Sequence, residues 1–333
     1  MHKVFYISIL AFLLSCSVQE KNIKNSKTTI PSIPKKNIIT DKKPKITHIG
    51  NEDFYKINIA DASKNNSTIS WGSIVSANPK GYHITKNHFP SLGQGFRQRF
   101  LILHYTALDN EKSIRVLTQQ GVSSHYLVND LPDNEIYQLV DENKRAYHAG
   151  VSYWRNSTGL NDSSIGIEIV NTGYTTDKTG RKQFHAFPEY QFRKVASLAK
   201  DIAERYLIPP THILAHSDIA PSRKQDPGPL FPWKRLYDEY QLGMWYDELT
   251  KQNYYPLAAS EIQSSYNEIK FIVKVQETFN KFGYDIKTTG EWDKQTQKVI
   301  EAFQYHFRPS NFEGVLDAET WAILNALLIK YPR

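Results

Sequence analysis

The residue pattern predicts a mixed α/β fold, with a mixed central β-sheet flanked by helices, plus a small all-α domain at the C-terminal end. Three observations carry this. Short, β-branched apolar runs alternate with amphipathic stretches of helical period, the pattern of helices packed on a sheet. With 333 residues, 40% of them hydrophobic, the chain is long enough for more than one core. Beyond residue 260 only helical patterning remains, and it carries an internal echo: Gly290-Glu-Trp-Asp293-Lys-Gln-Thr296 and Gly314-Val-Leu-Asp317-Ala-Glu-Thr320.

The chain opens with Met1-His-Lys3, an apolar run over residues 4–14, and Ser15-Cys16. A basic start, a short apolar stretch and a small residue before a cut describe a secretory signal over residues 1–15. The run is too short to cross a bilayer as a helix. Cys16 is the one cysteine, so no intramolecular disulfide can form. Residues 16–70 read as a disordered spacer, rich in Lys, Asn, Ser, Thr and Ile and interrupted by prolines. Residues 17–47 hold eight lysines against Glu20 and Asp41. Two readings of that charge stand side by side, attraction to anionic lipid head groups and a solvated linker. Outside this segment the charges nearly balance. The basic pI of about 9.1 therefore belongs to the tail, and nucleic acid is not an expected partner.

A first folded unit is expected over residues 71–258. Residues 71–99 are irregular. Phe100–Tyr105 is apolar and β-rich, a buried strand. Residues 111–120 form a helix with Ile114, Val116 and Leu117 on its apolar side and Gly121 after it. Residues 124–128 and 135–140 form a hairpin around turn chemistry at 129–134. A further strand covers 165–170. Residues 190–206 make an amphipathic helix, since Phe192, Val195, Ala199, Ile202 and Tyr206 step by three and four, and Pro209-Pro210 stops it. Ile213–Ala215 is a strand that enters the loop beginning at His216. The second unit, residues 259–333, contains helices over 293–306 and 317–331. In each echo the glycine makes a turn and the aspartate caps the helix that follows.

The chemistry concentrates in a few places. His216-Ser-Asp-Ile-Ala-Pro-Ser-Arg-Lys-Gln-Asp226-Pro-Gly puts an imidazole, the Lys224 ammonium and a carboxylate into one short loop. His104 lies in Phe100-Leu-Ile-Leu-His-Tyr, and Glu168 in Ile165-Gly-Ile-Glu-Ile. Two imidazoles, a carboxylate ligand and a separate carboxylate base are what a metal-assisted hydrolase needs. Taken singly, a strand histidine is more often a core residue than a ligand, and an Asp before Pro-Gly is more often a turn former. A glutamate between isoleucines either faces a cleft or sits in a buried ion pair. His212 shares the i, i+4 spacing of a helical zinc motif with His216. On a strand, however, that spacing is about 13 Å at ~3.3 Å per residue, so the two cannot share an ion. His83, His88, His125 and His185 have no comparable surroundings.

These strings, with Tyr147-His-Ala-Gly150 and Asn161-Asp-Ser-Ser-Ile-Gly, resemble the zinc-dependent N-acetylmuramoyl-L-alanine amidases of the amidase-2 family, which includes the peptidoglycan recognition proteins. Residues 266–331 resemble the small helical peptidoglycan-binding domain found beside many wall hydrolases. Leu13-Leu-Ser-Cys16 resembles a bacterial lipobox, with Cys16 as the lipidated first residue and Ser17 behind it as in outer-membrane lipoproteins.

The resemblance implies an amidase-2-like fold and Zn2+ held by His104, His216 and Asp226. It implies Glu168 as the base acting on the attacking water and Lys224 beside the oxyanion. His148 and Asn161 are then candidate substrate contacts, each with a structural alternative. The substrate would be the amide between the lactyl group of N-acetylmuramic acid and L-alanine, in peptidoglycan and muropeptides. The protein would be a monomer, lipid-anchored to the outer membrane and facing the periplasm, and its C-terminal domain would fold separately and add wall affinity without chemistry. Two other readings are a non-catalytic peptidoglycan recognition or anchoring protein, and a metal-free glycan-cleaving enzyme working with carboxylates. The filled ligand and catalytic positions favour the amidase over both.

Overall fold

The chain contributes five strands to one sheet: β1 (Phe100–Tyr105), β2 (Tyr126–Val128), β3 (Tyr137–Gln138), β4 (Ser164–Ile169) and β5 (Ile213–Ala215). This is a computed structural model, which describes residues 80–81 and 95–333. The signal, Cys16, the spacer, and His83 and His88 lie outside the described residues. Strand order is β3-β2-β4-β1-β5. β1 pairs in parallel with β4 on one side and β5 on the other, β2 is parallel to β4, and β3 closes the edge antiparallel to β2. The sheet is thus mixed, as the alternation of elements predicts. β1 is apolar on both faces because both are covered, as parallel strands require. Phe100, Leu101, Ile102 and Leu103 are all buried.

Helices supply the cover. α1 (Asn110–Gln119) starts at Asp109, whose carboxylate accepts the Lys112 N–H at 2.9 Å. Its Ile114 and Leu117 pack with Leu127 and Val170. α2 (Glu189–Tyr206) buries Phe192, Val195, Ala199 and Ile202, the stripe read from the sequence. α3 (His216–Ile219) follows β5 without a linker, and α4 (Trp233–Tyr240) follows the metal-loop candidate. Among the described residues no helix is long and apolar enough to cross a membrane.

The C-terminal helices are α5 (Glu248–Ser265), α6 (Ile269–Phe282), α7 (Lys294–Phe307) and α8 (Ala318–Lys330). Sequence patterning picks out only the last two. α5 runs through the boundary read between residues 258 and 259, so the two regions are joined by a continuous helix. It packs along α8, with the Trp321 indole N–H donating to Glu261 at 2.6 Å. The echoed aspartates cap as expected: Asp293 accepts from the Thr296 N–H and Asp317 from the Thr320 N–H, each at 2.8 Å.

The repeat also has a partner invisible in the motif, a buried glutamine on the preceding helix. The Gln276 Oε1 accepts the Gly290 N–H while its Nε2 donates to Glu291 O and Thr296 Oγ1, all at 2.9 Å. Gln304 does the same for Gly314, Val315 O and Thr320 Oγ1, at 2.9–3.0 Å. Gly314 has φ near +74°, and a Cβ there would meet Gln297 O at 2.8 Å, so glycine is required.

The C-terminal helices share a core with the sheet-bearing region. Residues 95–333 fall within one compact unit, and a single hydrophobic cluster runs from β1 to α8. The fully buried Trp154 meets Phe282 and Tyr284 edge-to-face at 5.8 and 5.1 Å. Gly283 backs onto the same indole, where a Cβ would approach to 2.9 Å. Arg155 donates to the Phe282 and Tyr331 carbonyls at 2.9 and 3.0 Å. Such pairing has no period, so each half looks self-sufficient in the sequence.

Replacing Gln276 or Gln304 with alanine leaves buried turn N–H groups without an acceptor. Each variant is expected to lose about 1–3 kcal/mol of stability, measured by chemical denaturation. A loss below a few tenths of a kcal/mol would show that the clamps are incidental.

Candidate metal centre

Strand register assembles the site. His104 and Glu168 are direct partners across the β1–β4 pair, one residue before each strand ends. On the other side Leu103 pairs with Ala215, which brings His216 beside His104 at the start of α3. Three parallel strands therefore deliver His104, Glu168 and His216 to one carboxyl edge, where open α/β sheets bind ligands. Asp226 returns on the loop after α3. Its carbonyl accepts the Ser217 N–H at 3.0 Å, tying the two ligand-bearing segments together.

The donors converge. His104 Nδ1 lies 2.8 Å from His216 Nδ1 and 3.1 Å from Asp226 Oδ2, and His216 Nδ1 lies 2.9 Å from the same oxygen. The surrounding hydrogen bonds fix which nitrogens carry protons. The Ser164 hydroxyl donates to Leu160 O at 2.6 Å, so it can only accept from His148 Nε2 at 3.1 Å. His148 Nδ1 then accepts the His104 Nε2–H at 2.9 Å, leaving a lone pair on His104 Nδ1. The Ala149 carbonyl takes the His216 Nε2–H at 3.2 Å and leaves the lone pair on that Nδ1 too. Two nitrogen lone pairs and a carboxylate oxygen thus face one another in a buried site. Without a cation between them they repel, and with one they complete a three-ligand set with an open fourth position. These three residues are the group among the described residues whose donors could hold a metal ion.

Electrostatics agree. Burial and the neighbouring His216 push His104 down to about 4, so it is neutral at pH 7. Burial opposes the Asp226 charge, but the adjacent His216 and His104 imidazoles outweigh it and hold the carboxyl far below its ordinary range. Glu168 goes the other way. Desolvation, with a smaller push from Asp226, raises it to about 8, while Lys224 opposes the rise. Its Oε2 is buried and has no hydrogen-bond partner among the described residues. Glu168, Lys224, His216 and Asp226 share a cavity of about 240 Å³ walled by Tyr147 and Leu117.

Of the two candidate substrate contacts, His148 lines this cavity and Asn161 does not. His148 is buried, and both ring nitrogens are engaged by His104 and Ser164, leaving none for a ligand. Gly166 lies against this ring, where a Cβ would come within 2.6 Å. Asn161 does not line the cavity. Its Oδ1 accepts the His148 and Ala149 N–H groups at 3.0 and 2.7 Å, shaping the loop that carries His148.

His212 is stacked on Phe100 at 4.2 Å and bonded to Arg99 O, away from the ligands. His125 is a core histidine held by the Gly166 N–H and Lys144 O. Sequence reasoning missed Ser164, which orients His148, and Arg223, whose guanidinium grips the Ala149 and Val151 carbonyls. A serine opening a strand and an arginine in a loop carry no signal of those roles.

A buried donor triangle with a desolvated carboxylate beside it, at the carboxyl edge of a mixed sheet, is the residue set that metal-assisted hydrolysis calls for. Residues 94–229 match the family described as N-acetylmuramoyl-L-alanine amidase, and residues 270–324 match the peptidoglycan binding domain family. The chain is similar to the N-acetylmuramoyl-L-alanine amidase AmiD of Escherichia coli K12, 44% identical over 240 residues, covering 71% of this chain and 84% of that protein. It also resembles the 1,6-anhydro-N-acetylmuramyl-L-alanine amidase AmpD of Enterobacter cloacae, 39% identical over 105 residues, 32% of this chain and 51% of that one. Among solved structures, E. coli AmiD in complex with anhydro-N-acetylmuramic acid-L-Ala-D-gamma-Glu-L-Lys superposes with a TM-score of 0.67 at 40% identity, covering 76% of this chain and 97% of that one. AmpDh3 of Pseudomonas aeruginosa gives 0.66 at 38% identity, covering 78% and 100%. The chain belongs to the N-acetylmuramoyl-L-alanine amidase family. It is an enzyme that hydrolyses the amide between the lactyl group of N-acetylmuramic acid and L-alanine of the stem peptide.

The raised Glu168 value makes stability pH-dependent. Between its ordinary value of 4.5 and about 8, the folded metal-free protein keeps a proton that the unfolded chain has released. Stability therefore falls as pH rises through that window and levels off above it. Glu168→Gln, fixed in the neutral form, removes the fall. The metal-free variant is expected to melt above wild type near pH 9 and close to it near pH 4. An equal gap at both pH values would show that the carboxyl is not desolvated.

Proposed function

We propose that this amidase works as a zinc enzyme, with His104, His216 and Asp226 as ligands, Glu168 as general base and acid, and Lys224 as oxyanion partner. The observation that carries the reading is the convergence of the two imidazole lone pairs and the Asp226 carboxylate, all within 3.1 Å of one another. When bound, zinc supplies Lewis acidity, polarising the amide carbonyl and acidifying water. Glu168 takes a proton from the attacking water and returns it to the nitrogen of L-alanine as the C–N bond breaks. A desolvated carboxyl with a raised pKa suits both halves of that exchange. The Lys224 ammonium offsets the charge developing on the carbonyl oxygen. Products are a lactyl carboxylate and a stem peptide with a free L-alanine amine.

The wider reading concerns place. Residues 1–15 act as a lipoprotein signal and Cys16 as the lipidated residue. The spacer of residues 16–70 links an outer-membrane anchor to a catalytic region in the periplasm. Some 50 residues reach roughly 150 Å when extended at ~3.3 Å each, enough to let a membrane-bound enzyme meet the wall. The match of residues 270–324 to a peptidoglycan binding family supports wall affinity in the C-terminal helices. The enzyme works as a monomer on wall peptidoglycan and released muropeptides.

Alanine at His104, His216 or Asp226 is expected to remove both zinc and activity. Glu168→Gln should keep zinc and lose about 10²–10⁴-fold in kcat. Mass spectrometry of muropeptides is the assay. Undiminished turnover after thorough chelation would sink the metal reading, and new reducing sugars would mark a glycan-cleaving enzyme instead.

Cys16→Ser is expected to abolish fatty-acid labelling and move the protein from the membrane to the soluble fraction. Equal labelling of variant and wild type would exclude this anchor.

A further inference from the structure

The segment that carries His216 is held from behind by a carboxylate. Asp218 is completely buried in α3, two residues past the ligand. Its Oδ2 accepts the Ala215 N–H at 2.8 Å, fixing the peptide just before His216. The other two bonds come from the C-terminal helical region. The Tyr284 hydroxyl donates to Oδ1 at 2.7 Å, and His306 Nδ1 donates to Oδ2 at 2.7 Å. Both partners are fully buried. Burial and the adjacent Asp218 raise the Tyr284 hydroxyl well above its ordinary value, so it stays a donor. The His306 ring is stacked between Trp233 and Phe307, each 3.9 Å away, and cannot swing off its acceptor.

We propose that Asp218 is a positioning residue for the metal site, and that Tyr284 and His306 make the C-terminal helices part of the catalytic fold rather than a detachable wall-binding appendage. A carboxylate buried without donors is costly, so α3 keeps this conformation only while both partners are docked. α3 in turn sets the His216 ring and, through the Ser217 N–H, the backbone of Asp226. Two of the three ligands thus hang on a segment whose rear support is lent by residues more than sixty positions downstream. Groups that orient metal ligands from behind commonly change metal affinity by about 10–100-fold when they are removed.

The proposal rests on the zinc reading above, and the experiment separates the two. In the full-length protein, zinc affinity is measured by competition with a chelator, and ligand geometry by the visible absorption of the cobalt(II)-substituted protein. Tyr284→Phe removes a single hydroxyl. His306→Phe keeps the stacking and removes the donor, whereas His306→Asn keeps a donor near the Nδ1 position. Arg155→Ala breaks a docking contact that does not reach Asp218.

The expected result is a loss in zinc affinity of about 10–100-fold for Tyr284→Phe and His306→Phe, with displaced cobalt bands and partial recovery in His306→Asn. Arg155→Ala should lower the melting temperature and leave affinity and bands unchanged. If Tyr284→Phe and His306→Phe hold zinc within twofold of wild type with unaltered bands, the clamp is refuted. It is also refuted if Arg155→Ala weakens zinc as much as they do. A wild-type protein that binds no zinc would instead overturn the metal reading, and the clamp with it.

Discussion

The lone pairs of His104 Nδ1 and His216 Nδ1 and an oxygen of Asp226 lie 2.8–3.1 Å apart in a buried pocket, and like-signed partial charges at that range oppose one another. Much of the surrounding structure holds this arrangement together. A relay from Leu160 O through Ser164 and His148 dictates the tautomer of His104, and the Ala149 carbonyl dictates that of His216. Asn161 and Arg223 fix the loop that presents His148 and Ala149. The hydrogen bonds of these groups orient the site.

Glu168 and Asp226 show how far one cleft can drive two carboxyl groups apart. Glu168 sits on the same sheet edge as His104, its direct strand partner, yet it stays outside the donor triangle, with one oxygen unpartnered and its pKa pushed up to about 8. Asp226, in contact with two imidazoles, is driven the opposite way. Two carboxylates in one cleft thus carry different protonation states because one has partners and the other has lost its water.

The C-terminal helices give the fold a second constraint. A repeat built from a glycine turn, an aspartate cap and a buried glutamine ties α6–α8 together through buried hydrogen bonds. Within that framework Tyr284 and His306 present donors from points 22 residues apart in sequence to one buried carboxylate. The same surface that packs Trp154 against Phe282 and Tyr284 therefore reaches the back of the ligand-bearing segment.

Legible in the residues alone are the sheet class, five strand-bearing regions, the α2 stripe, the aspartate caps and the choice of His104, Glu168, His216 and Asp226 as candidate site residues. These are legible because periodicity, cap chemistry and short motifs are local. Helix α5 escaped because it packs along α8 without an apolar face of its own, with Ala258 its one buried residue, whereas α6 does carry a stripe at Phe271, Val275, Phe279 and Phe282. Invisible until the chain is folded are the hydrogen bonds by which His148 and Asn161 orient the site, the places of Ser164 and Arg223 beside it, and the core that residues 259–333 share with it. Each of those facts depends on pairs of residues far apart in the chain. Which buried donor meets which buried acceptor is settled by packing, and packing leaves no period in the sequence.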